Sequence, residues 1–135
     1  MPAVDQVELH PHLTQHAIRD KAAEHGIKVE SWSPLGGTSN AGWGKASKPN
    51  TLLTDPIITR IGDRHSKTAA QVLIRWHLQN GLIVIPKSVH DARIAQNIDV
   101  FDFELTDLDL SEIDTLDDGT RVGAHPDELN IGAPN

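Results

Sequence analysis

Leu82-Ile83-Val84-Ile85 is a continuous apolar run that Pro86 ends and that Lys87-Ser88 follows. A run without polar alternation is typical of a parallel strand that is buried on both faces. Helical patterns precede and follow it, with Asn80-Gly81 between the first helix and the strand. The alternation of strand and helix indicates a parallel α/β structure.

Two earlier segments repeat this strand-then-helix order. Ala3 to Leu9 is short, compatible with a strand and ended by Pro11. Ile27 to Ser33 is predicted as a second strand, which Pro34 ends. The sequence therefore predicts three parallel strands with flanking helices in one domain over residues 1–135.

Helices are predicted from capping residues and from apolar periodicity. They are Gln15 to His25, with Thr14 as N-cap and Gly26 as a left-handed C-terminal residue; Pro56 to about Ile61 or His65, capped by Asp55; Thr68 to His77, with Gln71 completing a capping box; Asp91 to Asn97; and a last helix capped by Thr106 and carrying Leu108, Leu110, Ile113 and Leu116.

Two stretches lack any periodicity. Leu35 to Leu53 is rich in Gly, Ser, Asn, Lys and Pro, and a loop of this length in a compact domain is usually functional. The tail from Asp117 to Asn135 is predicted to be a loop or a disordered arm.

Composition excludes several classes of protein. The chain has 135 residues, enough for one hydrophobic core, and no apolar run long enough to cross a bilayer. It has no cysteine, which excludes disulfides and favours a cytoplasmic location. A net charge of −7 argues against a general binder of nucleic acid or anionic membranes.

Two architectures fit the order of elements. One is the doubly wound open sheet, and the other is the eight-stranded β/α barrel. Both place their binding residues in the loops after the carboxyl ends of the strands. Three strands are too few to close a barrel, and the pattern alone does not choose between the two.

Lys87, Ser88 and Arg93 are candidates for a phosphate site. They combine positive charge with the positive end of a helix dipole, and Arg93 shares one helical face with Asn97. The alternative is that Lys87 and Arg93 only make the helix start soluble.

Other chemistries have weaker support. None of the eight histidines has the spacing and acidic partner of a helical zinc site, so no metal is expected. Lys45 does not complete a phosphate loop, because Ser39 and Ala46 stand where that motif needs Gly and Ser or Thr. A nucleophile elbow is also missing.

Three segments together resemble the aldo-keto reductase family. They are Asp5-Gln6-Val7-Glu8-Leu9-His10-Pro11, Ser31-Trp32-Ser33-Pro34-Leu35-Gly36, and Ile85-Pro86-Lys87-Ser88 with Arg93, Gln96 and Asn97. The resemblance covers roughly Ala3 to Leu116. It implies that the chain is the C-terminal part of a (β/α)8 TIM barrel, with strands six to eight.

The resemblance also implies a role for each site residue. Gln6 would hydrogen-bond the nicotinamide carboxamide, and Trp32 would stack on the nicotinamide. Ser33 and the backbone at Leu35 would contact the pyrophosphate. Lys87, Ser88 and Arg93, with Val89 in the same segment, would hold the 2′-phosphate that distinguishes NADPH from NADH. Gln96 and Asn97 would face the adenine, and Trp43 would form an apolar wall at the substrate mouth.

Some of these residues have structural alternatives, and some depart from the family pattern. Trp32 could be a core aromatic side chain, and Gln6 a barrel-interior side chain satisfied by a neighbour. Asp5 stands where the family usually has asparagine, and Gln96 where it often has glutamate.

The resemblance places the family's catalytic tyrosine, lysine, aspartate and histidine in the first half of the barrel. This chain contains no tyrosine at all, so no catalytic residue is assigned in it. We expect an NADPH-dependent oxidoreductase fragment that is inactive alone and whose parent acts on a small-molecule carbonyl substrate. It would be part of a longer enzyme, a half-barrel that self-associates through exposed strand edges, or a chain with a partner. The alternative is a non-catalytic NADPH-binding module, and a third hypothesis is a structural half-barrel without NADPH affinity.

Overall fold

The fold is a three-stranded parallel sheet with helices on one face, seen in a computed structural model that describes residues 1–37 and 50–128. The strands are β1 (Val4–Glu8), β2 (Lys28–Trp32) and β3 (Ile83–Val84), in the order β1-β2-β3. In register, Glu8 pairs with Trp32 and Ser31 pairs with Val84. The three predicted parallel strands are therefore confirmed.

Five helices are seen in the described residues. They are α1 (His16–Glu24), α2 (Pro56–His65), α3 (Ala69–Gln79), α4 (Asp91–Ile98) and α5 (Asp107–Asp114). Short 3-10 helices cover Leu52–Thr54 and Pro126–Glu128. Each predicted helix is present, with ends that differ by a few residues.

The helix starts follow from short polar side chains. Asp55 accepts hydrogen bonds from the amides of Ile57 and Ile58, at 2.8 and 3.4 Å. Thr68 forms the predicted capping box of α3, and Thr106 forms another on α5. These contacts satisfy backbone amides that have no partner within the helix.

The predicted N-cap of α1 is wrong. Gln15 occupies that position in a left-handed conformation with φ 55°, and no side chain caps the helix. Thr14 is buried, and its hydroxyl donates to the carboxylate of Asp117 instead. Because Thr14 bonds to the C-terminal segment, it is not available to the helix.

The hydrophobic core lies between the sheet and the helices. Leu9 from the end of β1 and Val29 from β2 pack with Leu73 and Trp76 of α3 and with Ile113 of α5. Full burial of such side chains contributes about 1.5–3 kcal/mol each. The core therefore lies on one face of the sheet, where it packs the strands against α3. The carboxyl ends of the strands lie together at one edge of the sheet.

Away from Glu8 and Trp32, which residues 122–123 cover, the opposite face of the sheet is exposed in the part of the chain that the structure describes, and this makes one prediction wrong. The run 82–85 is not buried on both faces: Ile83 and Ile85 are 38% and 45% exposed, and Val4 on the same face is 44% exposed. Successive strand residues point to opposite faces, so only Leu82 and Val84 turn towards the helices.

The C-terminal segment returns to the strand ends. The backbone amides of Asp118 and Thr120 donate to the carbonyl oxygen of His12, at 3.3 and 3.1 Å. The prediction of a loop therefore holds for residues 117–125, here called the C-terminal loop, and this loop is anchored. In the part of the chain that the structure describes, no helix has the length and apolar character that a membrane span requires.

Candidate functional site

The carboxyl ends of the three strands meet at one edge of the sheet, because all three strands are parallel. Trp32 and Ser33 stand at the end of β2, and Lys87 follows the end of β3 by three residues. Binding residues of β/α folds lie in the loops at this edge. The topology therefore gives these predicted residues a common edge.

Gln6 lies on the uncovered face of the sheet. It pairs in register with Glu30, and its side-chain amide donates to the Glu30 carboxylate. This contact agrees with the structural alternative for Gln6, in which a neighbouring side chain satisfies its hydrogen-bonding groups. The amide oxygen of Gln6 accepts no hydrogen bond from another described residue.

Trp32 is half-buried and contacts the C-terminal loop. A Cβ atom added to Gly123 would lie 2.3 Å from Cη2 and 3.1 Å from Cζ3 of Trp32. These two atoms form the far end of the benzo ring. Trp32 is therefore outside the hydrophobic core cluster, at the edge of the sheet where the loop passes.

Glu8 and His10 form a buried polar pair beside Trp32. Their side chains are 0% exposed, and Oε1 of Glu8 lies 3.1 Å from Nε2 of His10. Burial alone would raise the pKa of Glu8, but His10 and the amides of Val122 and Gly123 lower it below its ordinary value. The site thus holds an ionised carboxylate at the end of β1.

The turn after β2 has an unusual backbone. Ser33 has φ 52°, Gly36 has φ 84° and Gly37 has φ 63°. Asn50 donates to the carbonyl oxygens of Leu35 and Gly37, at 2.9 and 2.8 Å. The positive φ of Gly36 favours glycine, and a Cβ there would also lie 2.4 Å from Oδ1 of Asn50 and displace this side chain. This turn holds both Ser33 and the backbone at Leu35 in a fixed conformation.

The segment after β3 carries free positive charge. Lys87 and Arg93 are exposed, and neither forms an ion pair with another described residue. The amide of His90 donates to Oγ of Ser88 at 3.2 Å, and no side chain caps α4. Val89 is 70% exposed. The start of α4 therefore has no side-chain cap, and Lys87 and Arg93 lie within four residues of Asp91, its first residue, along the chain.

The remaining predicted residues of α4 face different hollows. Gln96 lines a polar recess with Lys67 and Asp99. Asn97 lines an apolar groove of about 660 Å³ with Ile94 and residues of α3. Trp43, the predicted substrate wall, lies outside the described residues.

No group of histidine, aspartate and glutamate side chains that could hold a metal ion is found within residues 1–37 and 50–128.

Residues 1–118 match the model of the aldo/keto reductase family. The chain belongs to the aldo-keto reductase family. It is 47% identical to morphine 6-dehydrogenase of Pseudomonas putida over 134 residues, covering 98% of this chain and 45% of that protein. It is 52% identical over 131 residues to an aldo-keto reductase of Mycolicibacterium smegmatis, covering 97% and 43%.

A solved structure of a Gox0644 mutant in complex with NADPH is also similar, with a TM-score of 0.84 and 45% identity. The match covers 97% of this chain and 44% of that one. The chain thus spans less than half the length of the aldo-keto reductases that it matches. Both the family and the predicted fold, three parallel strands of a β/α barrel, are confirmed.

The sequence interpretation missed three residues of this edge. Val122 and Gly123 lie in a segment with no periodicity, and Asn50 lies in a loop of mixed composition. Two features of the sequence could have indicated these contacts. Glu8 is a glutamate within a strand, and its carboxylate needs hydrogen-bond donors if it is buried. Asn50 is an asparagine that follows the Gly36-Gly37 pair along the chain.

Proposed function

We propose that this chain provides the cofactor-binding side of an NADPH-dependent aldo-keto reductase. The observation that supports the proposal most directly is the common edge of the parallel strands, where Trp32, the turn at Ser33 and the cationic segment at Lys87 follow neighbouring strands. A relative of similar fold is known in complex with NADPH.

The residues at this edge fit a phosphorylated dinucleotide. Lys87 and Arg93 are cations without ionic partners among the described residues, and the open amides at the start of α4 favour an anion. Gly36 and Gly37 both have positive φ, so the turn after β2 keeps a tight backbone conformation that favours glycine, next to the backbone at Leu35 that we assign to the pyrophosphate.

Each side chain then has a separate task. Lys87, Ser88 and Arg93 bind the 2′-phosphate, while Ser33 and the backbone at Leu35 contact the pyrophosphate. Trp32 stacks on the nicotinamide through a flat aromatic ring, which needs no phenol. Gln6 turns its free amide oxygen to the carboxamide. The remaining predicted contact is Val89 beside the phosphate. Because Gln96 and Asn97 line different recesses, we assign only Gln96, which lies in the polar recess, to the adenine.

The bound cofactor supplies a hydride for carbonyl reduction. Reduction also needs a proton donor of suitable pKa and stabilisation of the forming alkoxide. The chain has no tyrosine, the proton donor that resemblance to the family implies. We therefore expect the 135-residue chain to bind NADPH without reducing aldehydes or ketones.

Fluorescence titration with NADPH and NADH tests this proposal. Arg93→Ala is expected to weaken NADPH binding roughly tenfold or more, because a hydrogen bond to a charged group contributes about 1.5–3 kcal/mol. Arg60→Ala is the matched control, since Arg60 lies on α2 and pairs with Glu112. The proposal fails if the unaltered chain has no NADPH affinity, or if both variants bind NADPH equally well.

A second candidate function is favoured by the uncovered sheet face. Val4, Ile83 and Ile85 are exposed there, and apolar strand surfaces invite association. In this case the chain is a non-catalytic module that binds NADPH or associates with itself. Sedimentation of the purified chain at rising concentration separates this candidate from a monomeric one.

A further inference from the structure

The Glu8 carboxylate holds the backbone of the C-terminal loop. The amides of Val122 and Gly123 both donate to it, and the distance from Gly123 N to Oε2 is 3.1 Å. An ionised carboxylate is the natural acceptor for two adjacent amides, because both of its oxygens only accept. The loop is therefore fastened at this point to the end of β1, from which it is separated by more than 110 residues.

The fastened glycine also contacts Trp32. A Cβ at Gly123 would meet the Trp32 ring at 2.3 Å and the Glu8 carboxylate at 3.2 Å. Only glycine can pass between a buried carboxylate and an indole at this spacing. Glu8 and Trp32 are themselves partners in register on β1 and β2, so one face of the sheet presents both groups to the same loop residue.

We propose that Glu8 is a positioning residue for Trp32. Its carboxylate holds Gly123 against the far end of the benzo ring, and this contact fixes the orientation of the indole before any ligand binds. The role of the oriented ring rests on the proposed function, in which Trp32 stacks on the nicotinamide. Glu8 acts only through the loop and touches no ligand.

A purely stabilising contact would not require Gly123 to meet the indole. Other contacts already anchor the loop, since the hydroxyl of Thr14 donates to Asp117 and the carbonyl of His12 accepts from Asp118 and Thr120. The contacts of Glu8 are the ones that bring the loop to Trp32. Their loss should therefore alter Trp32 more than it alters the anchorage of residues 117–120.

The test uses fluorotryptophan incorporated into the whole chain, with the ¹⁹F resonance of Trp32 assigned by Trp32→Phe. Glu8→Gln keeps the size of the side chain but replaces one acceptor oxygen by a donor. We expect the Trp32 resonance to shift or broaden, and amide exchange at Val122 and Gly123 to become roughly tenfold faster or more. Asp127→Asn is the control, because it also converts a carboxylate to an amide, at an exposed position two residues beyond the C-terminal loop.

Gly123→Ala keeps the test decisive if Glu8→Gln does not fold. It leaves Glu8 in place but forces the ring or the loop to move, so the Trp32 resonance should again change. The proposal is overturned if the folded variants keep the resonance of Trp32 at its original position. It is also overturned if Glu8→Gln leaves the exchange of both loop amides unchanged.

These measurements need no cofactor, which separates the two proposals. If the unaltered chain does not bind NADPH, the proposed function fails, while the ¹⁹F and exchange results still decide the role of Glu8. If it binds NADPH, the affinity of Glu8→Gln should fall in proportion to the disorder seen at Trp32.

Discussion

His65 and Asp109 join helices α2 and α5 through a contact of 2.7 Å between Nε2 and Oδ2. Asp109 is 2% exposed and also accepts from Arg64 and from the backbone amide of Thr106. One carboxylate thus serves two purposes, because it completes the capping box of α5 and ties that helix to the side of the core formed by α2.

The first prediction concerns acid stability. Burial by itself would raise the pKa of Asp109, but the contacts with His65, Thr106 and Arg64 lower it from 3.8 to about 2. As the pH falls, Asp109 therefore becomes protonated in the unfolded chain at a higher pH than in the folded chain. The ionised Asp109 carboxylate contributes about 2 kcal/mol to the free energy of unfolding. This contribution is complete above pH 4 and is lost as the pH falls towards 2.

Urea unfolding from pH 7 to pH 2 measures this effect. Asp109→Asn should be less stable at neutral pH and should lose less stability on acidification than the unaltered chain does. Asp107→Asn, an exposed carboxylate on the same helix, serves as control. Identical pH profiles for Asp109→Asn and the unaltered chain would contradict the prediction.

The second prediction concerns His77, a residue of α3 that is buried against the end of β1. Burial lowers its pKa to about 4, although the carbonyl oxygens of Leu73 and Leu9 oppose this shift. The ring is therefore neutral at pH 6. Its Nδ1 lies 2.7 Å from Leu73 O and its Nε2 lies 3.2 Å from Leu9 O, so we expect the proton on Nδ1.

Long-range ¹H–¹⁵N NMR of the imidazole tests both statements. The His77 signals should keep the pattern of a neutral ring protonated on Nδ1 as the pH falls from 7 to 5.

Because the pKa of His77 is lower in the folded chain than in the unfolded chain, the neutral ring favours folding above pH 6.5. This contribution to the free energy of unfolding is lost as the pH falls from 6.5 to 4. Protonation of the ring near pH 6.5 would be incompatible with this account.

Local signals allowed most of the fold to be predicted. Asp55, Thr68 and Thr106 cap helices as expected, because their bonds reach only two or three residues along the chain. Thr14 has the same capping chemistry but bonds to Asp117, which is distant in sequence. A local rule cannot predict which of two partners a hydroxyl will choose.

The same limit applies to the candidate site. Trp32 and Lys87 could be placed at a common edge, because parallel strands align their carboxyl ends. The contacts of Glu8 with Val122 and Gly123 could not be predicted, since the C-terminal loop has no periodic pattern. The apolar run predicts that Ile83 and Ile85 are buried, but the structure exposes both, because such a run does not reveal whether a second layer covers it.

The third prediction concerns the uncovered face of the sheet. Val4 and Ile85 are 44% and 45% exposed on this face, so a lysine at either position removes apolar surface without disturbing the core. We expect Val4→Lys and Ile85→Lys to reduce self-association in analytical ultracentrifugation. Leu108→Lys is the control, because Leu108 is 62% exposed on α5, away from the sheet. Equal effects of all three substitutions would exclude the sheet face as the interface.

The fourth prediction concerns the choice between NADPH and NADH. In the proposed site, Lys87 and Arg93 meet the 2′-phosphate, the group by which the two cofactors differ. Lys87→Ala should therefore weaken binding of 2′,5′-ADP roughly tenfold and leave binding of ADP almost unchanged. Calorimetric titration with both nucleotides measures the two affinities directly.

Lys21→Ala is the matched control for this comparison, since Lys21 is 68% exposed on α1 and pairs with Glu24. Salt provides an independent check, because a phosphate held by two exposed cations is screened as ionic strength rises. The preference for 2′,5′-ADP should decline with added salt in the unaltered chain and much less in Lys87→Ala. If Lys87→Ala lowered both affinities equally, Lys87 would contact a group that the two nucleotides share, and the selectivity would have to come from Arg93 or Ser88.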